Sequence, residues 1–101
     1  MKKFQLRLYI TGQTARSSIA IDNLNRLCRN ELKDLYELTI IDVLENPQLA
    51  ESEKIIATPT LIKDLPPPLK RVIGDLSDKD KVLMGLDVLP QSVPHTKGDP
   101  K

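Results

Sequence analysis

The sequence predicts an α/β domain. A strand–helix–strand unit with parallel strands leads into a shorter helix–strand–strand–helix half. Three observations carry this reading. Residues Phe4 to Ile10 alternate strictly, with Phe4, Leu6, Leu8 and Ile10 on one face and Gln5, Arg7 and Tyr9 on the other; such period-two alternation marks a half-buried strand. From about Ala15 to Lys33 the apolar residues Ala20, Ile21, Leu24, Leu27, Cys28 and Leu32 recur at three and four, one stripe of a helix. Leu38-Thr39-Ile40-Ile41, within a strand from Tyr36 to Val43, is almost continuously apolar and β-branched, which suits a strand covered on both faces.

The remaining elements follow in order. Thr11-Gly12 ends the first strand, and Thr14 or Ser17 can cap the first helix. A strand, a crossover helix and a second strand make a right-handed βαβ unit. Asn46-Pro47 reads as an N-cap with proline at the first helical position, opening a short helix that runs to about Lys54. Ala57-Thr58-Pro59-Thr60-Leu61-Ile62 reads as a third strand; Pro59 cannot donate to a ladder and belongs at its beginning. Pro66-Pro67-Pro68 is a stiff connection to a fourth strand, Lys70-Arg71-Val72-Ile73, closed by Gly74-Asp75. Ser77 caps a last helix with acids in its first turn and a stripe of Val82, Leu83, Leu86 and Leu89. From Pro90 onward prolines and glycine interleave with polar residues, so 1–89 reads as one domain and 90–101 as a flexible tail. The complete order, βαβ then αββα, is the thioredoxin-like arrangement.

The totals exclude several functions. The chain has 101 residues, which fits one domain with one modest core and leaves little room for a second. With aromatics at 3% and no Trp, that core must be Leu, Ile and Val. Fifteen basic against 14 acidic residues leave a net charge of +1, with no drive toward nucleic acid or an anionic membrane. No apolar stretch approaches the ~20 residues that span a bilayer, and Met-Lys-Lys-Phe-Gln lacks the apolar core of a signal peptide. The single Cys28 cannot form an internal disulfide. A cytoplasmic protein is expected.

Little in the chain points to catalysis. A thioredoxin-like oxidoreductase needs a low-pKa thiol where the first helix begins, and Thr11-Gly12-Gln13-Thr14 stands there instead. Cys28 lies two or three turns further on, within the apolar stripe, where it reads as a small core residue. Thr58-Pro59 occupies the place where thioredoxin-like folds often carry a cis proline, although cis is intrinsically a minority state, about 5–6% of X-Pro bonds. His95, the one histidine, has no cluster to bind metal with, and no phosphate-binding glycine motif is present. No cofactor is expected. Glu45, Glu51 and Glu53 read as a solvated helix face. Lys63, Lys70 and Arg71 form a small basic group around the triple proline, serving solubility or an acidic partner.

A family resemblance rests on five runs. They are Asp42-Val43-Leu44-Glu45-Asn46-Pro47-Gln48-Leu49-Ala50-Glu51, Ala57-Thr58-Pro59-Thr60-Leu61, Leu65-Pro66-Pro67-Pro68, Ile73-Gly74-Asp75-Leu76-Ser77 and Lys81-Val82-Leu83-Met84-Gly85-Leu86-Asp87. With Leu8-Tyr9 and Gly12, these runs resemble the KaiB family of the cyanobacterial circadian clock over residues 4 to 89. The resemblance implies a non-enzymatic protein that binds the N-terminal ATPase ring of KaiC, a ring-shaped ATPase and autokinase. It also implies sequestration of KaiA and displacement of an output histidine kinase. It further implies two folds: a βαββααβ ground state, commonly a homotetramer or else a dimer, and a thioredoxin-like βαβαββα binding state. The two share their first half.

By the same resemblance, Lys54, Lys63 and Arg71 would face KaiC. Pro59, Pro67 and Pro68 would change geometry between the folds, and Gly85 and Asp87 would help hold the ground state. Short, proline-punctuated elements suit two packings separated by a few kcal/mol. The chain departs from the family pattern at Ile19 and Thr39, where basic residues are usual, at the helix start Thr14-Ala15-Arg16-Ser17, and in its non-acidic tail. Ring docking therefore stands as the principal implication, ahead of KaiA binding. A clock-derived timing or stress role is a variant of it. The alternatives are a redox or thiol-sensing protein using Cys28, and a stand-alone relative of the output kinase's sensory domain.

Overall fold

The structure, a computed structural model, describes residues 3–33 and 35–88. The expected elements appear in the expected order: β1 (Phe4–Ile10), α1 (Ala15–Glu31), β2 (Tyr36–Asp42), α2 (Pro47–Ser52), β3 (Thr60–Leu65), β4 (Lys70–Ile73) and α3 (Lys79–Gly85). Of the two orders the resemblance implies, this is βαβαββα. One four-stranded sheet runs β2-β1-β3-β4. β1 and β2 are parallel, while β3 is antiparallel to both β1 and β4. The expected tail and His95, like Leu89 of the last helical stripe, lie outside the described residues.

The main core follows the two periodicities. Leu6, Leu8 and Ile10 of β1 and Leu61 of β3 meet Ala20, Leu24, Leu27 and Cys28 of α1 and Val82 and Leu83 of α3. Both long stripes thus cover one face of the sheet. Thr14 caps α1, its hydroxyl accepting the Ser17 N–H at 3.1 Å. Asn23 of α1 donates to the Asp75 carbonyl at 3.0 Å, tying α1 to the loop before α3. In that loop the Ser77 hydroxyl, and then its N–H, hold the Asp75 carboxyl below the usual carboxylate range.

The structure corrects several expectations. β2 is not covered on both faces: it is an edge strand, and Ile40 is 44% exposed beside an exposed Thr39. Continuous apolar character cannot tell an edge from a centre. The strands buried on both faces are the two internal ones, β1 at Leu8 and Tyr9 and β3 at Leu61 and Ile62. Tyr9, expected on the solvent face, is 0% exposed and packs with Ile41, Ile62, Val43 and Ile55 in a second, smaller cluster. α1 ends at Glu31 and α2 at Ser52, each two residues early. β3 begins at Thr60 and not Ala57; Pro59 lies buried just ahead of it, its carbonyl accepting the Gly74 N–H at 2.9 Å. Asp78 and not Ser77 caps α3, accepting from the Lys81 N–H. Asn46 stands at the N-cap of α2 but its side chain caps nothing; it donates to the Asp42 carbonyl at 3.1 Å.

Candidate partner-docking site

The head of α1 is built for structure. Asp42 at the end of β2 accepts the Gly12 N–H at 3.0 Å and the Leu44 N–H at 2.9 Å, which locks the two loops at the carboxyl ends of the parallel strands. Gly12 adopts φ 67, open to glycine at little cost. The Thr11 and Thr58 hydroxyls hydrogen-bond across this end. The Thr58–Pro59 peptide bond is cis, as are Leu65–Pro66 and Pro67–Pro68. The only thiol, Cys28, is 0% exposed in the core. Native Cys28 is therefore expected to react with a thiol reagent at least about a hundred-fold more slowly than in denaturant. Rapid labelling of the native protein would return the redox reading to consideration. Among the described residues no group of His, Cys, Asp or Glu could hold a metal, and no helix is long and apolar enough to cross a membrane.

The surface around α2 differs in character. Residues Thr11, Val43, Pro47, Ala50, Ile56 and Thr58 help line an open cleft of about 330 Å³. Ile56 is 89% exposed and Leu44 is exposed beside the loop of Gly12. α2 itself has six residues and buries none of them. Helices this short are not stable alone, so something outside α2 must place it.

A cluster of charged groups lies behind it. Arg7 of β1 grips Asp64 of β3 with two parallel hydrogen bonds, Nε to Oδ2 at 2.7 Å and Nη2 to Oδ1 at 2.8 Å. Its Nη1 donates to the Tyr9 hydroxyl at 2.8 Å, satisfying the polar tip of the buried ring. Its Nη2 also reaches Glu53, just after α2, at 3.4 Å. The bond to Asp64 raises Arg7 above the ordinary guanidinium value, against the lowering effect of burial. From β4, Arg71 donates Nη2 to the Glu53 carbonyl and Nη1 to the Lys54 carbonyl, the latter at 3.3 Å. Glu53, expected on a solvated helix face, is thus half-buried and paired.

The residues expected to face a partner divide between two surfaces. Lys54 and Arg71 come together on the α2 side of the sheet. Lys63 does not join them. It pairs with Leu6 and Lys70, so its side chain points to the helix side, where it is 2% exposed. The basic group around the triple proline therefore splits, because neighbours along a strand point to opposite faces. Gly85 is the last residue of α3, and a Cβ there would lie 2.7 Å from Val72 Cγ2. Asp87 follows the C-cap with φ 61. Sequence reasoning missed the set Arg7, Tyr9 and Asp64. The one available signal was Arg7 and Tyr9 sharing the second face of a strand whose sequence could equally be central.

Comparison with known proteins places these features in context. The model of the KaiB domain matches residues 7–88. The chain is 58% identical over 93 residues to the circadian clock protein KaiB3 of Synechocystis sp., covering 92% of this chain and 91% of that protein. It is 52% identical over 96 residues to the circadian clock oscillator protein KaiB of Prochlorococcus marinus, covering 95% and 91%. Among solved structures it resembles the N-terminal domain of Synechococcus elongatus SasA, with TM-score 0.71 and 22% identity over 86% of each chain. It also resembles yeast mitochondrial thioredoxin 3, with TM-score 0.66 and 16% identity over 86% of this chain and 79% of that one. These two likenesses are of fold alone, a thioredoxin-like sheet; in this chain no thiol stands at the head of α1.

Proposed function

The chain belongs to the KaiB family of circadian clock proteins, and from that membership we propose that it regulates a KaiC-like ATPase and autokinase by docking, without catalysis, on its N-terminal ATPase ring. The observation that carries this reading is the match to the KaiB domain across residues 7–88, nearly the whole described domain. The α2 surface supports it, with its exposed Leu44 and Ile56 and the basic Lys54 beside Arg71. Apolar anchors rimmed by charge are what a transient protein interface needs. Lys63 takes part only if a rearrangement uncovers it. In this proposal the protein acts in the cytoplasm, within a clock or a clock-derived timing or stress system. In the same reading, KaiA or an output histidine kinase is a further partner. The βαβαββα order described above is the docking form, in exchange with a self-associated homotetramer or dimer. Pro59, Pro67, Pro68, Gly85 and Asp87 are the candidate determinants of that exchange.

The test is a pull-down with the host's KaiC-like ATPase in the presence of nucleotide, comparing wild type with Gly85→Ala. Alanine gains up to ~1 kcal/mol of helix propensity over glycine. In this fold that gain is offset by crowding, since the new Cβ must displace the Val72 methyl. Such overpacking costs about 1–3 kcal/mol, at least the size of the propensity gain, so this fold is not itself stabilised. Faster capture by the variant, the expected result, would therefore report a weakened ground state, because a rarer competent form lowers apparent affinity by its population. Equal rates for the two proteins would remove the two-fold account. Absence of binding to any KaiC homologue over hours would remove the partner.

A further inference from the structure

We propose that Arg71 is a positioning residue: together with Arg7 it clamps the Glu53–Lys54 turn to the sheet, and it influences docking through Lys54 and not by touching the partner itself. This rests on the docking reading above. Three observations lead to it. First, α2 buries no side chain, yet it is followed by a turn in which Lys54 has φ 56. The helix's own end closes that left-handed turn, the Lys54 N–H bonding the Glu51 carbonyl at 3.1 Å and the Ile55 N–H the Ala50 carbonyl at 2.9 Å, but a lysine there costs more than the usual glycine, so outside restraints on the turn add to it. Second, the turn is held twice, by different parts. Arg7 takes the Glu53 carboxylate at 3.4 Å, and Arg71 takes the Glu53 and Lys54 carbonyls. The two arginines come from β1 and β4, with β3 between them, so the grip spans the sheet. Third, the groups that Arg71 satisfies are carbonyls at a helix end, which are left without intrahelical partners. A cation there is also favoured by the helix dipole. A guanidinium committed to two carbonyls of its own chain is aimed at that chain. A lysine is a point charge without the planar fork, and it cannot replace this geometry.

The experiment uses the full chain and five proteins: wild type, R71Q, R71K, K54Q and R71Q/K54Q. Affinity for the KaiC-like ATPase is measured together with amide hydrogen exchange of the free protein at Ile55, whose N–H bonds the Ala50 carbonyl at 2.9 Å. R71Q, R71K and K54Q are each expected to weaken binding about ten-fold, with the double variant within about two-fold of K54Q, as for residues acting as one unit. Exchange at Ile55 is expected to rise about ten-fold in R71Q and R71K and to stay unchanged in K54Q. Losses that multiply to about a hundred-fold in the double variant, with R71K binding like wild type and exchange unaltered, would make Arg71 a direct electrostatic contact and overturn the proposal. If wild type fails to bind, the docking reading falls, and the exchange comparison alone still decides whether Arg71 clamps the turn.

Discussion

Leu8→Ala is expected to lower unfolding stability by about 3 kcal/mol, within the ~2–5 kcal/mol range for emptying a buried leucine site. Leu8 is fully buried in the middle of β1, one of the two strands with neighbours on both sides. It faces Ile40 on β2 and Leu61 on β3 in register, and α1 lies over it. The site cannot collapse without moving two strands and a helix, so the cavity term adds to the lost transfer energy. Ile40→Ala on the exposed edge strand is the control, with an expected cost below about 1 kcal/mol since little area is removed from contact. Urea unfolding monitored by circular dichroism measures both. Equal costs for the two variants would mean that Leu8 does not lie in the core.

Asp64→Ala carries the second large effect, about 2 kcal/mol. It strips Arg7 of two charge-assisted hydrogen bonds at once, and such bonds are worth ~1.5–3 kcal/mol when neither partner can be re-solvated easily. The side chains of Arg7 and Asp64 are 21% and 30% exposed, so water recovers part of the loss. The figure therefore lies below the ~3–5 kcal/mol of a fully buried broken pair. The consequence extends past the pair. Arg7 also holds the Tyr9 hydroxyl and Glu53, so its displacement loosens the second cluster and the turn after α2. A double-mutant cycle with Arg7→Met isolates the coupling. We expect about 1–2 kcal/mol of interaction energy, and additivity within ~0.5 kcal/mol would show that the pair contributes nothing of its own.

The fold was legible where a single physical rule decided the matter. Alternation placed Leu6, Leu8 and Ile10 in the core, and the helical stripe placed Leu24, Leu27 and Cys28 against them. Proline's missing donor kept Pro59 out of the interior of β3, although the strand starts after it, at Thr60. Reading failed where two rules compete locally. Ser77 and Asp78 are both good caps; the structure uses Asp78, while the Ser77 N–H serves Asp75. Of the candidate site, the absence of a thiol at the head of α1 was readable. The partners of Lys54 and the burial of Lys63 were not.

The family, seven elements in one of the two orders it implies, and the residues of the main core were legible in the chain alone. Each of these depends on neighbours within a few positions along the chain, or on runs of residues matched one by one. Which strands lie inside the sheet, and which side chains meet across it, depends on contacts between residues far apart along the chain. Arg7 finds Asp64 at a sequence separation of 57 and Glu53 at 46. No local periodicity encodes such a meeting. It arises because antiparallel pairing of β3 with β1 sets Ile62 opposite Arg7, which leaves the guanidinium within reach of the next acid along the strand. The same pairing turns Lys63 toward the helices and Arg71, through β4, toward α2. Three basic residues look equivalent along the chain. They have different roles because a strand alternates its faces, and only the register says which face is which.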